Sequence, residues 1–150
     1  MGAGELVIRP IEPADRDAWQ RLYEGYATFY QRPMDDRILA AVWGWLFDPK
    51  HELEGLLALL DDHPVGLAHF RRMPRPLQGA EIGFLDDLFV DPAARGRRIG
   101  EVLIARVGAI GRERGWGCVR WLTADDNYRA RAVYDRLARK TTWNLYELTP

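Results

Sequence analysis

The sequence predicts an α/β fold: a mixed central sheet with helices on both faces. Three observations carry this expectation. Two apolar runs flank "DDHP" at 61–64, a hairpin signal that makes the early strands antiparallel. A strand over 81–90, an arginine- and glycine-rich turn, an apolar-striped helix over 98–114 and a strand over 117–123 form a βαβ unit. Such strands are parallel with a right-handed crossover. The chain has 150 residues, 47% of them hydrophobic, which suits one domain with a sizeable core.

The elements follow in order. "LVIRPI" at 6–11 is a strand. After Pro13, with Asp15 as N-cap, Trp19, Leu22, Tyr23, Tyr26 and Tyr30 recur at helical spacing until Pro33 ends the run. A second helix runs from Asp35 to Phe47, with Ile38, Leu39, Val42, Trp45 and Leu46 on its apolar side. The hairpin over 53–72 leads into "MPRPLQGA", a Pro/Gly loop. In the helix over 98–114, Ile99, Leu103, Val107 and Ile110 form the stripe. Asn127 caps a last helix whose apolar face holds Ala130, Val133, Tyr134 and Leu137. "TTWNLYELT" is expected to close the fold as a strand. With no repeats and no linkers, residues 1–150 are expected to form a single domain.

Composition excludes several functions. There is no serine, which removes Ser-His-Asp hydrolysis. Cys118 is the lone cysteine, so no intrachain disulfide or Cys-rich zinc site is expected, and a reducing cytoplasm fits. "HELEG" has Gly55 where a zinc helix needs its second histidine, so no metal is expected. "MGAGELVIRP" has no apolar signal core and no myristoylation serine or threonine, and no apolar run is long enough for a membrane span. A net charge of −1 argues against bulk nucleic-acid binding. The charge is unevenly divided: residues 1–94 carry 16 acids and 9 bases (net −7), residues 95–150 carry 6 acids and 12 bases (net +6). The second half therefore suits a polyanionic ligand and the first a cationic one.

"RGRRIG" at 95–100 concentrates three arginines before a helix, the end that already carries partial positive charge. A strand–turn–helix unit with glycines at Gly96 and Gly100 is the physical basis of a phosphate cradle, loop amides pointing at an anion above the helix N-terminus. It is neither a Walker A loop nor G-x-G-x-x-G.

"LFVDPAARGRRIGEVLI" resembles motif A of the GNAT acetyltransferase superfamily, Q/R-x-x-G-x-G/A after a strand. Arg95 fits its first position and Gly100 its last, with Gly96, Arg97 and Ile99 between, while Arg98 stands where the family usually has glycine. "NYRARAVYDRLA" resembles a second block, N-x-x-A-x-x-x-Y, through Asn127, Ala130 and Tyr134; Ala138-Arg139 replaces the Gly-Phe that usually follows. The resemblance implies a GNAT fold whose splayed parallel strands bind acetyl-CoA. It implies that the pantetheine arm pairs with the backbone of Leu88, Phe89 and Val90, and that the pyrophosphate lies on residues 95–100.

The resemblance further implies an N-acetyltransferase acting on a small primary amine such as a polyamine, an amino acid or a related metabolite. An acyl-CoA-binding regulatory domain without turnover and a protein lysine acetyltransferase are the alternatives, and a homodimer is a possible assembly. An alkyl ammonium must lose a proton before it attacks, and the departing thiolate must gain one. Tyr134 stands where the family places the acid. "FLDDLFV" resembles the segment that puts Asp86 at the basic carboxylate, with Glu81 and Asp87 as alternatives on the same strand. Only one of the pair 86/87 can face the site unless a bulge intervenes. Cys118 is expected to be a small core residue, His69 to be solvated near the substrate side, and Trp43, Trp45, Tyr26 and Tyr30 chiefly to pack helices.

Overall fold

The computed structural model describes residues 4–150; the start of the N-terminal stretch, Met1 to Ala3, lies outside them. Asp61 and Asp62 both take left-handed backbone (φ 49° and 65°), the pair of positive angles a two-residue hairpin turn demands. Aspartate tolerates that region better than most residues. The turn joins β2 (Leu53–Leu60) to β3 (His63–Arg75). β1 (Leu6–Pro10) pairs with the far side of β2, and β4 (Ala80–Val90) with β3, all antiparallel. β5 (Val119–Trp121) is parallel to β4, so the sheet order is β1-β2-β3-β4-β5.

Strand alternation sends side chains to two faces. Leu57, Leu67 and Phe89 meet Trp19 and Leu22 of α1 (Arg16–Phe29) and Leu39 and Val42 of α2 (Asp36–Phe47). Leu56, Ala58, Ala68, Phe70 and Leu85 meet Ile99, Leu103 and Val107 of α3 (Ile99–Arg114). α4 (Tyr128–Leu137) is tied to α3 by the Arg136–Glu101 ion pair and to β5 by the edge-to-face contact of Tyr134 on Trp121. Asp35 caps α2, accepting the Ile38 amide at 2.8 Å. Asp15 stands at the N-cap of α1 but spends its carboxylate on Arg9 (2.7 and 2.9 Å) and the Glu12 amide instead.

Two features of β4 position the site. His69 pairs with Asp87 and Phe70 with Leu85, so Asp86 is an extra residue in a β-bulge. The bulge breaks the alternation: Leu85 faces α3, yet Asp87 and Phe89 face α1. The parallel ladder with β5 covers only Gly83, Phe84 and Leu85. From Asp86 to Val90 the β4 edge toward β5 has no strand beside it. The two strands fork where the bulge begins.

Three expectations need correction. The strand over 117–123 contracts to 119–121, because the fork takes its partner away. "MPRPLQGA" is not all loop: β3 stays paired as far as Arg75 opposite Ala80, since proline accepts extended backbone, and the connection is a short turn over 76–78 closed by Gly79. "TTWNLYELT" forms no strand, and Trp143, Leu145, Tyr146 and Leu148 are 70–91% exposed. Local composition marks apolar residues to be buried, not the surface that buries them.

Candidate active site

The fork opens into a cavity of about 350 Å³. Leu88, Phe89 and Val90 form one wall, the turn before α3 the floor, and Ala130 and Tyr134 of α4 with its N-cap Asn127 the opposite wall. Asn127 starts α4 by accepting the Ala130 amide with its side chain. The turn owes its shape to two left-handed residues, Gly96 (φ 84°) and Arg98 (φ 57°). A Cβ on Gly96 would meet nothing, so glycine is needed there for its backbone angle, not for space. A Cβ on Gly100 would lie 3.8 Å from Val90 and 3.9 Å from Leu88, at the cavity wall. Arg95 lays its guanidinium over the Phe29 ring at 5.1 Å and, with Arg98 and Arg129, lines the same cavity.

Arg98 explains the departure from the family glycine. Its backbone occupies the conformation glycine favours, at a cost of about 1–2 kcal/mol for a residue with a Cβ. In return the position offers a cation at the α3 N-terminus. Arg98→Gly should therefore gain up to about 1 kcal/mol of stability in urea unfolding, strain relief being partly offset by a freer unfolded chain. The same change should weaken CoA binding several-fold by calorimetry. A variant that loses stability while keeping affinity would show that neither effect operates.

On the α1 face the bulge brings both carboxylates to one side. Asp86 accepts the Arg71 Nε–H at 2.9 Å, and Arg71, two residues beyond His69 on β3, shares its face. Asp87 Oδ2 is 2.8 Å from His69 Nδ1 and accepts the Tyr23 hydroxyl at 3.0 Å. Their titrations are pushed apart. Burial raises the Asp86 carboxyl, with Arg71 pulling against it and Asp87 adding to the rise. Burial would also raise Asp87, but His69 first, then the Tyr23 and Tyr26 hydroxyls, outweigh it and hold the carboxyl below its usual range. Tyr134 is half-buried; burial, then the nearby Tyr30, raises its hydroxyl, which is thus fully protonated at neutrality.

Of the residues expected to hold the cosubstrate, Leu88, Phe89, Val90, Arg95, Gly96, Arg98, Ile99, Gly100, Asn127 and Ala130 line the cavity, as does the expected acid Tyr134; Arg97 is exposed and does not. Phe29, Tyr30, Glu101, Arg129 and Val133 also line it and were not assigned to the cosubstrate. Phe29 and Tyr30 end the α1 stripe, so their spacing looks like packing; only the tertiary placement of the α1 C-terminus beside β4 distinguishes them. His69 is the largest correction: expected to be solvated, it is completely buried. Among the described residues no His, Cys, Asp and Glu cluster is placed to hold a metal ion, and no helix is long and apolar enough to cross a membrane.

An unpaired strand edge over an arginine–glycine turn, walled by a helix that presents a protonated tyrosine, is the scaffold of an acyl-CoA-dependent transferase. The chain belongs to the GNAT acetyltransferase family: the model for the "Acetyltransferase (GNAT) family" matches residues 16–138. It is an acetyl-CoA-dependent N-acetyltransferase. It is 31% identical over 144 residues to the D-amino-acid N-acetyltransferase HPA3 of Saccharomyces cerevisiae (strain ATCC 204508 / S288c), spanning 95% of this chain and 89% of that protein. It is 31% identical over 120 residues to an aminoglycoside N(6')-acetyltransferase type 1 of Stenotrophomonas maltophilia, spanning 77% and 73%. The fold matches the aminoglycoside N-acetyltransferase AAC(6')-Iy solved in complex with CoA, with TM-score 0.82, 22% identity and 99% and 97% coverage. It also matches a ribosomal-protein-alanine N-acetyltransferase from Brucella melitensis biovar Abortus 2308, with TM-score 0.82, 23% identity and 97% and 99% coverage.

Proposed function

We propose that this enzyme, as one GNAT domain over 1–150, acetylates a small cationic primary amine, amino acids being the first class to examine. The observation that carries the reading is the pair of carboxylates set side by side at the fork by the β4 bulge. They face the aromatic wall at the C-terminal end of α1, where Tyr23 stacks on Tyr26 and Tyr26 packs at a tilt on Tyr30, which lines the cavity. An ammonium group is attracted by both features. The kinship with a D-amino-acid acetyltransferase supports amino acids over polyamines as acceptors.

The cavity fits the cosubstrate. The free β4 edge at Leu88–Val90 offers backbone groups to an amide-containing arm, and the turn with Arg95 and Arg98, joined by Arg129, meets a pyrophosphate. Acetyl-CoA supplies an acetyl group activated as a thioester. Asp86 is the proton acceptor: a partly desolvated carboxyl with a raised pKa takes a proton from an ammonium more readily than a fully solvated one. Tyr134 is the proton donor to the departing sulfur, its hydroxyl kept protonated by burial.

The test is an acetylation assay with acetyl-CoA over D- and L-amino acids, aminoglycosides, diamines and a lysine peptide. CoA release matched to acetylated small amine is expected. Transfer to the peptide alone, or CoA binding without turnover for any amine, would overturn the reading in favour of a protein acetyltransferase or a regulatory domain.

We also propose a homodimer, working in the cytoplasm. The exposed apolar residues of 143–148 and the short, one-sided β5 support the pairing of two copies. Sedimentation analysis should give twice the monomer mass for the full chain and the monomer mass for a chain ending at residue 140. A monomeric full chain would contradict the assembly.

A further inference from the structure

His69 is buried completely, and both its ring nitrogens are engaged. Trp19 Nε1 lies 2.9 Å from His69 Nε2. An indole nitrogen can only donate, so Nε2 must be the accepting lone pair. The ring hydrogen then sits on Nδ1 and points at Asp87 Oδ2, 2.8 Å away. Two consequences follow. The imidazole is neutral, so the contact with Asp87 is a hydrogen bond to a carboxylate and not an exchange of full charges. The tautomer is fixed by a side chain on another element, since Trp19 comes from α1 and His69 from β3.

Asp87 is thereby an anion surrounded by neutral donors: His69 Nδ1–H, the Tyr23 hydroxyl and the facing Tyr26 hydroxyl. Among the described residues its only charge-capable neighbour at ion-pair distance is His69, whereas Asp86 beside it has Arg71. A carboxylate held by hydrogen bonds alone keeps its full negative charge and attracts a cation that comes within reach. Its side chain keeps 18% exposure, enough for a ligand to reach. Tyr26 also packs edge-on to Phe89, a wall of the acyl cavity, so Asp87 and that cavity are joined through one ring.

We propose that Trp19 and His69 are positioning residues for the acceptor: Trp19 locks His69 as the Nδ1–H form, and that hydrogen aims Asp87 as the carboxylate that receives the substrate's ammonium beside Tyr23 and Tyr26. This rests on the acceptor being a cationic amine, as proposed above. Asp87 is assigned to binding, and the proton leaves through Asp86.

The experiment has two arms. In the first, ¹⁵N-histidine-labelled wild-type protein is examined by long-range ¹H–¹⁵N correlation, with His69→Asn assigning the resonance. The Nδ1–H neutral form is expected; the Nε2–H form or an imidazolium overturns the proposal without any need for turnover. In the second, Trp19→Phe keeps a large ring and removes the indole N–H. It should let the other tautomer appear, turning a lone pair toward Asp87, and should raise the KM for the amine about tenfold, the scale of one charge-assisted hydrogen bond. The KM for acetyl-CoA should stay at its wild-type value, and kcat should fall less than KM rises. His69→Asn, whose amide can still donate to Asp87, should recover part of the amine affinity that His69→Leu loses. If Trp19→Phe keeps the wild-type KM while wild-type transfer is intact, the positioning role is wrong and the acceptor reading stands. If the wild type acetylates no amine, the acceptor reading fails and this one with it.

Discussion

Tyr134→Phe is expected to lower kcat about 10²-fold or more, the scale of one general acid. The ring remains, so its edge-to-face contact with Trp121, 5.4 Å between centroids, is preserved. Only the hydroxyl is lost from the cavity wall. CoA affinity and the unfolding midpoint should move little, because α4 is held by the Asn127 cap and the Arg136–Glu101 pair. Pre-steady-state kinetics establish that chemistry limits turnover, and kcat is then compared. Near-wild-type kcat under those conditions would remove Tyr134 from the mechanism and leave another group to protonate the thiolate.

Asp86→Asn is expected to cost about 10²-fold in kcat/KM at neutral pH. In the wild type kcat/KM should rise with pH on the acidic limb as Asp86 deprotonates, at a pH above the ordinary carboxylate value because burial raises it. The asparagine variant should lack that limb. Stability gives an independent sign. A carboxyl whose folded-state pKa is raised favours folding when protonated, and that contribution is lost as pH climbs from the unfolded value through the folded one. At neutral pH the charged Asp86 is thus a liability of the folded state, and replacing it should not destabilise the protein. A variant that both unfolds more easily at neutral pH and keeps its acidic limb would assign Asp86 to an ion pair with Arg71 and nothing more.

How much of this was legible in the sequence depends on the range of the forces involved. The α3 stripe of Ile99, Leu103 and Val107 and the cap at Asn127 are local signals, and, whereas Asp15 gives its carboxylate to Arg9 and caps nothing in α1, both appear in the structure. So does the cavity wall at Leu88–Val90 and the turn at 95–100, whose resemblance carried the placement. The position of the β4 bulge leaves no mark in a single strand's pattern; its partner His69 defines it. His69 itself was misjudged because its environment comes from Trp19, fifty residues earlier. Arg97 shares the turn with its neighbours in sequence, but it is exposed and lies outside the cavity lining. The segment 141–149 has strand-favouring residues, but no edge of this sheet takes it up.

The proposed function puts acetyl-CoA in the β4–β5 fork over the 95–100 turn. Another cavity of about 610 Å³, on the α3 face between Glu54, Arg106 and Arg114, is the competing location. Backbone ¹H–¹⁵N spectra recorded during a titration with CoA separate the two. Shifts are expected at the amides of Leu88 to Val90, Gly96 to Gly100 and Ala130, with Gly55, Arg106 and Arg114 unmoved. Shifts centred on Gly55, Arg106 and Arg114, with the 95–100 amides unmoved, would contradict the account.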